Sequence, residues 1–253
     1  MTEDFESVSR QVAAAVDRSV AESVGQEKRI GVAFSGGLDS STLVACAKKR
    51  AKVVAFTAFA KGARDDAKAG RAAEALGADF VAIELSPEMA AESFAKLALP
   101  FEPTLMDRSL WCLYTTVSRK ANEAGLRVML LGQLADELFG GYAKYAKTLE
   151  KEGERVARTM MSSDYREYAS RGRVRDVGAC SPWVEPRLPF ESGELADLAA
   201  SVPTYFLIRD GVRKAVLRRA AAILGVPEEI AGAPKKAAQY SSGVQKLVAS
   251  LRF

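Results

Sequence analysis

Histidine is missing from all 253 residues. Its absence excludes every mechanism that needs an imidazole base, a histidine-ligated zinc or a Ser-His-Asp triad. Proton transfer must use carboxylates, lysine, tyrosine, water or a substrate's own phosphates. Cysteine is scarce: Cys46, Cys112 and Cys180 lie far apart, with no C-x-x-C pair. That spacing argues against a disulfide frame or a zinc knuckle, and for reduced thiols in a cytoplasmic protein. No apolar run approaches the roughly 20 residues that span a bilayer, so no membrane role is expected. The acidic start, Met1-Thr2-Glu3-Asp4-Phe5-Glu6, lacks the apolar region of a secretory signal. Internal repeats and low-complexity tracts are also absent. The net charge of +4 is mild and suits a phosphate-bearing small molecule as well as RNA.

What is present is an ordinary globular composition, 48% apolar and 27% charged, with length enough for a full core. Phe5, Val8, Val12, Val16 and Val20 recur at helical spacing and predict an amphipathic helix over 5–24. Short apolar runs at 29–34, 53–57, 80–85 and 128–131 read as buried strands. Between them come helical stretches: one from the loop at 35–41 through Ala47, 65–76 ended by Gly77, one opened by Pro87, and 107–124 up to Gly125. Continuous apolar strands alternating with helices predict an α/β fold with a doubly wound, mostly parallel sheet. After about residue 145 the strand signal fades. Residues 146–170 and 192–252 read as helices, joined by the proline-rich stretch 181–190. The expected organisation is an α/β nucleotide-binding core over 1–145 and a helical C-terminal region over 146–253 that completes the site. The boundary is soft, and one compact domain is expected.

The first strand runs into Ser35-Gly36-Gly37-Leu38-Asp39-Ser40-Ser41. In open α/β sheets ligands sit beyond the carboxyl ends of the strands. Successive amides in a glycine turn form an anion nest, and the helix N-terminus adds partial positive charge. Ser35, Ser40 and Ser41 can donate to oxyanions. Asp39 would repel phosphates unless it carries Mg²⁺ bridging them. The Gly-Lys-Ser/Thr ending of a Walker loop is missing. A lone Ser-Gly-Gly would be no more than a capped turn; the full pattern after a buried strand favours a ligand. This stretch resembles the PP-loop of the ATP pyrophosphatase family, which holds the pyrophosphate part of ATP while the α-phosphate is attacked.

A second constellation, Gly132-Gln133-Leu134-Ala135-Asp136-Glu137-Leu138-Phe139-Gly140-Gly141-Tyr142, follows the fourth strand. Together the two stretches resemble the synthetase domain of asparagine synthetases and β-lactam synthetases. Three more segments fit that family in order: the helix opened by Asp65-Asp66, the run Glu185-Pro186-Arg187-Leu188-Pro189-Phe190, and Lys214-Ala215-Val216-Leu217-Arg218 followed by Pro234 to Gly243. The resemblance spans about residues 10–245. It implies an adenine nucleotide alpha hydrolase-like, HUP-type fold and an ATP-dependent ligase that forms AMP and pyrophosphate. It implies ATP contacts at Ser35, Gly36, Gly37, Leu38, Asp39, Ser40, Ser41, Thr57 and Gly132, and Mg²⁺ on Asp39 and Asp136. Lys235 or Lys236 would stabilise charge on the phosphates, the spacing leaving open which, and Glu185 and Arg187 would line the acceptor pocket. A structural ion pair is the alternative for those last two.

Two departures from the family pattern matter. No glutaminase domain is expected ahead of the loop, so nitrogen would come as ammonia, as a substrate amine, or from a separate glutaminase chain. The family's Gly-Glu-Gly reads Gly132-Gln133-Leu134, and glutamine accepts no proton at neutral pH, so either the nucleophile needs no base there, Asp136, Glu137 or water serves as one, or the acceptor is not aspartate. Small-molecule carboxylate and amine substrates are expected, and no nucleic acid. Oligomeric state stays open, a homodimer included. Two other readings stay open: a PP-loop sulfurtransferase carrying sulfur on Cys112 or Cys180, and a non-catalytic nucleotide-binding protein.

Overall fold

The four apolar runs become β1 (Arg29–Ala33), β2 (Lys52–Ala60), β3 (Asp79–Leu85) and β4 (Val128–Leu130), and with β5 (Glu185–Arg187) they form one sheet ordered β3-β2-β1-β4-β5. Every pairing in it is parallel. The computed structural model describes residues 4–63, 65–95, 97–233 and 242–251. Its helices are α1 (Phe5–Val24), α2 (Leu38–Ala47), α3 (Asp65–Leu76), α4 (Pro87–Phe94), α5 (Leu105–Glu123), α6 (Ala135–Phe139), α7 (Ala143–Glu152), α8 (Glu154–Glu167), α9 (Arg173–Cys180), α10 (Gly193–Ser201), α11 (Thr204–Leu207), α12 (Ala215–Ile223), α13 (Glu228–Ala231) and α14 (Val244–Ser250).

The sheet is covered on both faces, which is why its strands read as unbroken apolar runs. Along β2, Val53 and Ala55 join a core with α1, α2, α3 and α12. Val54, Phe56 and Ala58 face the other way, into a core with α4, α5 and α14. Alternation of side chains along a strand accounts for the split. Phe56 is fully buried, so Phe56→Ala is predicted to lower stability by about 3–5 kcal/mol in urea denaturation.

Local signals fix the ends of the elements. α1 buries Val8, Val12, Val16 and Val20, the residues whose spacing predicted it. Ser86 caps α4 and Pro87 opens it. Thr104 and Asp107 form a reciprocal capping box on α5. Among the described residues no helix is long and apolar enough to cross a membrane.

Two segments depart from the sequence reading. The proline-rich stretch is not only a connection: it contributes β5, paired to β4 with Pro186 opposite Met129. An edge strand tolerates proline because its outer N–H has no partner to lose. The C-terminal half is also not helical throughout. β6 (Ile208–Arg209) and β7 (Val212–Arg213) form an antiparallel hairpin. Asp210 (φ 51°) and Gly211 (φ 75°) make its turn. An Asp-Gly pair is the usual signal for such a turn, and here it overrides the surrounding helical pattern.

Candidate active site at the switch point

The strand order reverses between β1 and β4, and ligands of open parallel sheets bind at such a reversal. Two segments leave the carboxyl ends there, one into α2 and one into α6. They touch: a Cβ on Gly132 would lie 3.5 Å from that of Asp39.

The first segment is the glycine turn. Gly36 has φ 64°, and a Cβ there would come 2.8 Å from the Cα of Ala69. Only glycine lets the turn lie against α3. Ser35 N–H donates to Ser40 Oγ at 3.2 Å, and Gly37 N–H to Ser35 Oγ at 3.4 Å. Thr57 Oγ1 donates to the carbonyl of Phe34 at 2.5 Å, tying the turn to β2. The N-cap of α2, Gly37, supplies no side-chain cap. The first amides of this helix are therefore left to water or an anion. Ser41 is fully buried, and its Oγ has no hydrogen-bond partner among the described residues.

Asp39 and Asp136 stand on the first turns of α2 and α6. Between them lies Lys214, whose side chain is 3% exposed. Its Nζ donates to Asp39 Oδ1 at 2.6 Å and lies 2.8 Å from Asp136 Oδ1. Burial pulls the ammonium's pKa below the ordinary lysine value, against the opposing pull of Asp39 and Glu137. Gly141 makes the space: a Cβ there would fall 1.7 Å from Asp136 Oδ1 and 2.2 Å from Lys214 Cε. Arg213 Nη1 donates to the Gly141 carbonyl at 2.8 Å, so the hairpin that delivers Lys214 also clamps this glycine.

The backbone of the second segment is strained. Leu134 has φ 74°, at the position where the family pattern has glycine. A left-handed non-glycine residue costs roughly 1–2 kcal/mol. Leu134 is 2% exposed within the core, and a buried leucine is worth about 2–5 kcal/mol. Burial outweighs the strain. Beside it, Glu137 is buried and accepts from Tyr142 Oη at 2.7 Å; burial raises its pKa.

Gln133 Nε2 donates to Asp176 Oδ2 at 2.8 Å. Asp176 is fully buried and also takes bonds from Arg175 Nε (2.7 Å) and Tyr168 Oη (3.0 Å). Arg175 Nη1 reaches Asp107 Oδ1 at 2.9 Å, and Arg171 reaches its other oxygen at 2.9 Å. Burial alone would raise the pKa of Asp107; hydrogen bonds from Thr104, Arg171 and Arg175 overcome it and hold the carboxyl well below the usual range. A depressed folded-state pKa stabilises above the unfolded value of about 3.9 and is lost as pH falls through the folded one. Asp107→Asn is therefore predicted to be less stable at neutral pH, with a shallower loss of stability below about pH 4. Denaturant midpoints measured across pH check this, and an unchanged acid slope would refute it.

The structure brings Ser35 to Ser41, Gly132, Asp39 and Asp136 to one crevice. It places Glu185 and Arg187 elsewhere. Arg187 Nη1 donates to the Ser23 carbonyl at 2.7 Å, at the end of α1, and its Nε to Glu185 at 2.7 Å. Glu185 also pairs with Arg127, just ahead of β4. Both charged groups therefore lie at the amino-terminal rim of the sheet. Lys235 and Lys236 lie outside the described residues. Sequence reasoning gave no role to Lys214, Gly141 or Asp176. A signal for Lys214 existed: a lysine opens the helix Ala215–Ile223, against the helix dipole, and such local violations mark functional positions.

Among the described residues no group of three or more His, Cys, Asp or Glu side chains could hold a metal. Two carboxylates sharing one small cation do fit Mg²⁺. That ion uses one or two carboxylates and completes its octahedron with water and phosphate oxygens.

A sheet with this reversal, a glycine turn and paired acids defines an α/β protein of the PP-loop class. Residues 11–182 and 152–252 match the asparagine synthase family model, and the chain belongs to that family. A putative glutamine-hydrolyzing asparagine synthetase 1 of Methanocaldococcus jannaschii is 29% identical over 278 residues, covering 96% of this chain and 51% of that protein. Glutamine-hydrolyzing asparagine synthetase B of Escherichia coli is 26% identical, covering 91% and 44%. The chain thus spans about half the length of these curated relatives. NMN synthetase from Francisella tularensis aligns with 99% of this chain and 88% of its own, at a TM-score of 0.49 and 11% identity, a likeness too slight to carry an argument.

Proposed function

We propose that this chain is the ATP-using part of an amide ligase of the asparagine synthetase type. A substrate carboxylate attacks the α-phosphate of ATP, pyrophosphate leaves, and ammonia or an amine displaces AMP from the acyl adenylate. Aspartate is the first carboxylate to test. The observation that carries this reading is the meeting of Asp39 and Asp136 on one cation beside the uncapped start of α2.

In this reading the amides and hydroxyls of residues 35–41 bind the β- and γ-phosphates, with Thr57 and Gly132 shaping the pocket. Asp39 and Asp136 hold Mg²⁺, which supplies Lewis-acid polarisation and charge neutralisation when bound. The resemblance to the family gives Lys235 or Lys236 the task of stabilising the charge that develops on the phosphate oxygens. Gln133 gives its amide hydrogen to Asp176 and offers no base, so the nucleophile arrives already neutral. The relatives' names add a nitrogen source: glutamine hydrolysis, supplied here by a glutaminase unit or partner chain. Three buried cysteines suit a reducing cytoplasm. The same burial argues against sulfur transfer, since it raises the pKa of Cys112 and pushes that of Cys180 up to about 12.

The test is incubation with ATP, Mg²⁺ and a panel of carboxylates, with and without ammonia, read as AMP and pyrophosphate. Carboxylate-dependent AMP formation supports the proposal. ADP as the product, or nucleotide binding without turnover on any carboxylate, would overturn it.

A further inference from the structure

We propose that the Lys214 ammonium occupies the seat of the divalent cation and is displaced when the metal binds. The inference rests on Asp39 and Asp136 being the metal ligands. Two carboxylates that converge on one point repel each other unless a positive charge lies between them. This chain supplies that charge from its own side chain, at 2.6 and 2.8 Å from the two oxygens.

Three features of the chain are shaped around this contact. Lys214 sits at φ 57°, a conformation that disfavours lysine. It heads α12, where the helix dipole disfavours a cation. Gly141 lacks the Cβ that would collide with both Asp136 and the lysine stem. None of these serves helix or strand stability; each serves the placement of the ammonium.

The arrangement also suits exchange. The acids remain reachable, with side chains 22% and 15% exposed, whereas the lysine is enclosed. A monovalent ammonium on a four-carbon stem can retreat, and a divalent ion cancels both acids where the lysine cancels one. Arg218 cannot take its place: it donates to the carbonyls of Arg213, Ala231 and Ala233.

Mn²⁺ without nucleotide is the probe, its free concentration followed by electron paramagnetic resonance. Lys214→Met should bind Mn²⁺ about tenfold more tightly than the unaltered protein, or more, because the competing charge is gone. The double variant with Asp39→Asn should lose that gain. In the unaltered protein, saturating Mn²⁺ should speed acetylation of Lys214, read by mass spectrometry. This second measurement stands even if Lys214→Met fails to fold. Equal or weaker Mn²⁺ binding by folded Lys214→Met, or unchanged acetylation at saturation, would overturn the displacement. If Asp39→Asn alone still abolishes Mn²⁺ binding, the acids remain ligands and only the displacement is lost. Mn²⁺ affinity indifferent to both substitutions would overturn the metal reading as well.

Discussion

Asp39→Asn and Asp136→Asn should each cut carboxylate-dependent pyrophosphate release at least about tenfold, because each removes one of the two acids that fix the cation. Geometry makes the effect specific. An amide keeps the shape of the carboxylate but carries no charge, and its neutral oxygen holds a hard divalent ion more weakly than a carboxylate does. Lys214 retains one partner in either variant, so it is not stranded and the fold persists. Steady-state rates at saturating ATP, set beside an unchanged circular dichroism spectrum, provide the check. Full activity in either variant would remove the two-acid cation site. Loss of activity together with loss of fold would move Asp39 or Asp136 from chemistry to structure.

The second large effect falls on stability. Asp176→Ala should cost about 3–5 kcal/mol, the usual consequence of breaking a buried ion pair from one side. Asp176 is 0% exposed and Arg175 5%. The substitution leaves the guanidinium with Asp107 alone and orphans the amide of Gln133 and the hydroxyl of Tyr168. Replacing a large part of that network by apolar side chains could be neutral, so the single truncation is the informative variant. A loss under about 1 kcal/mol in urea titration would mean that water or relaxation satisfies these groups.

Much of the fold was legible in residue order. Val53 to Phe56 and Val128 to Leu131 are apolar without interruption, and a strand covered on both faces requires that. The glycine turn and Asp136 could be assigned to one crevice because both follow strands, and parallel strands share a carboxyl end. β5 was hidden because Pro186 argues against a strand, and only its edge position makes proline acceptable. The hairpin at 208–213 was hidden inside a helical pattern, although Asp210-Gly211 carried the turn signal. Lys214 was visible as a motif residue without a task. Its task depends on a meeting with residues far away in the chain, which no periodicity encodes. Glu185 and Arg187 illustrate the same limit from the other side: members of a family-like segment, they direct their charges to the opposite rim of the sheet.

The bond from Lys214 to Asp39 joins positions 175 residues apart. A nascent chain halted before the hairpin emerges would therefore contain the glycine turn and both acids but not this ammonium. Such a fragment lacks the ammonium between its two acids, so ribosome-bound intermediates of this length should depend on magnesium in the surrounding solution until residues 208–214 are made.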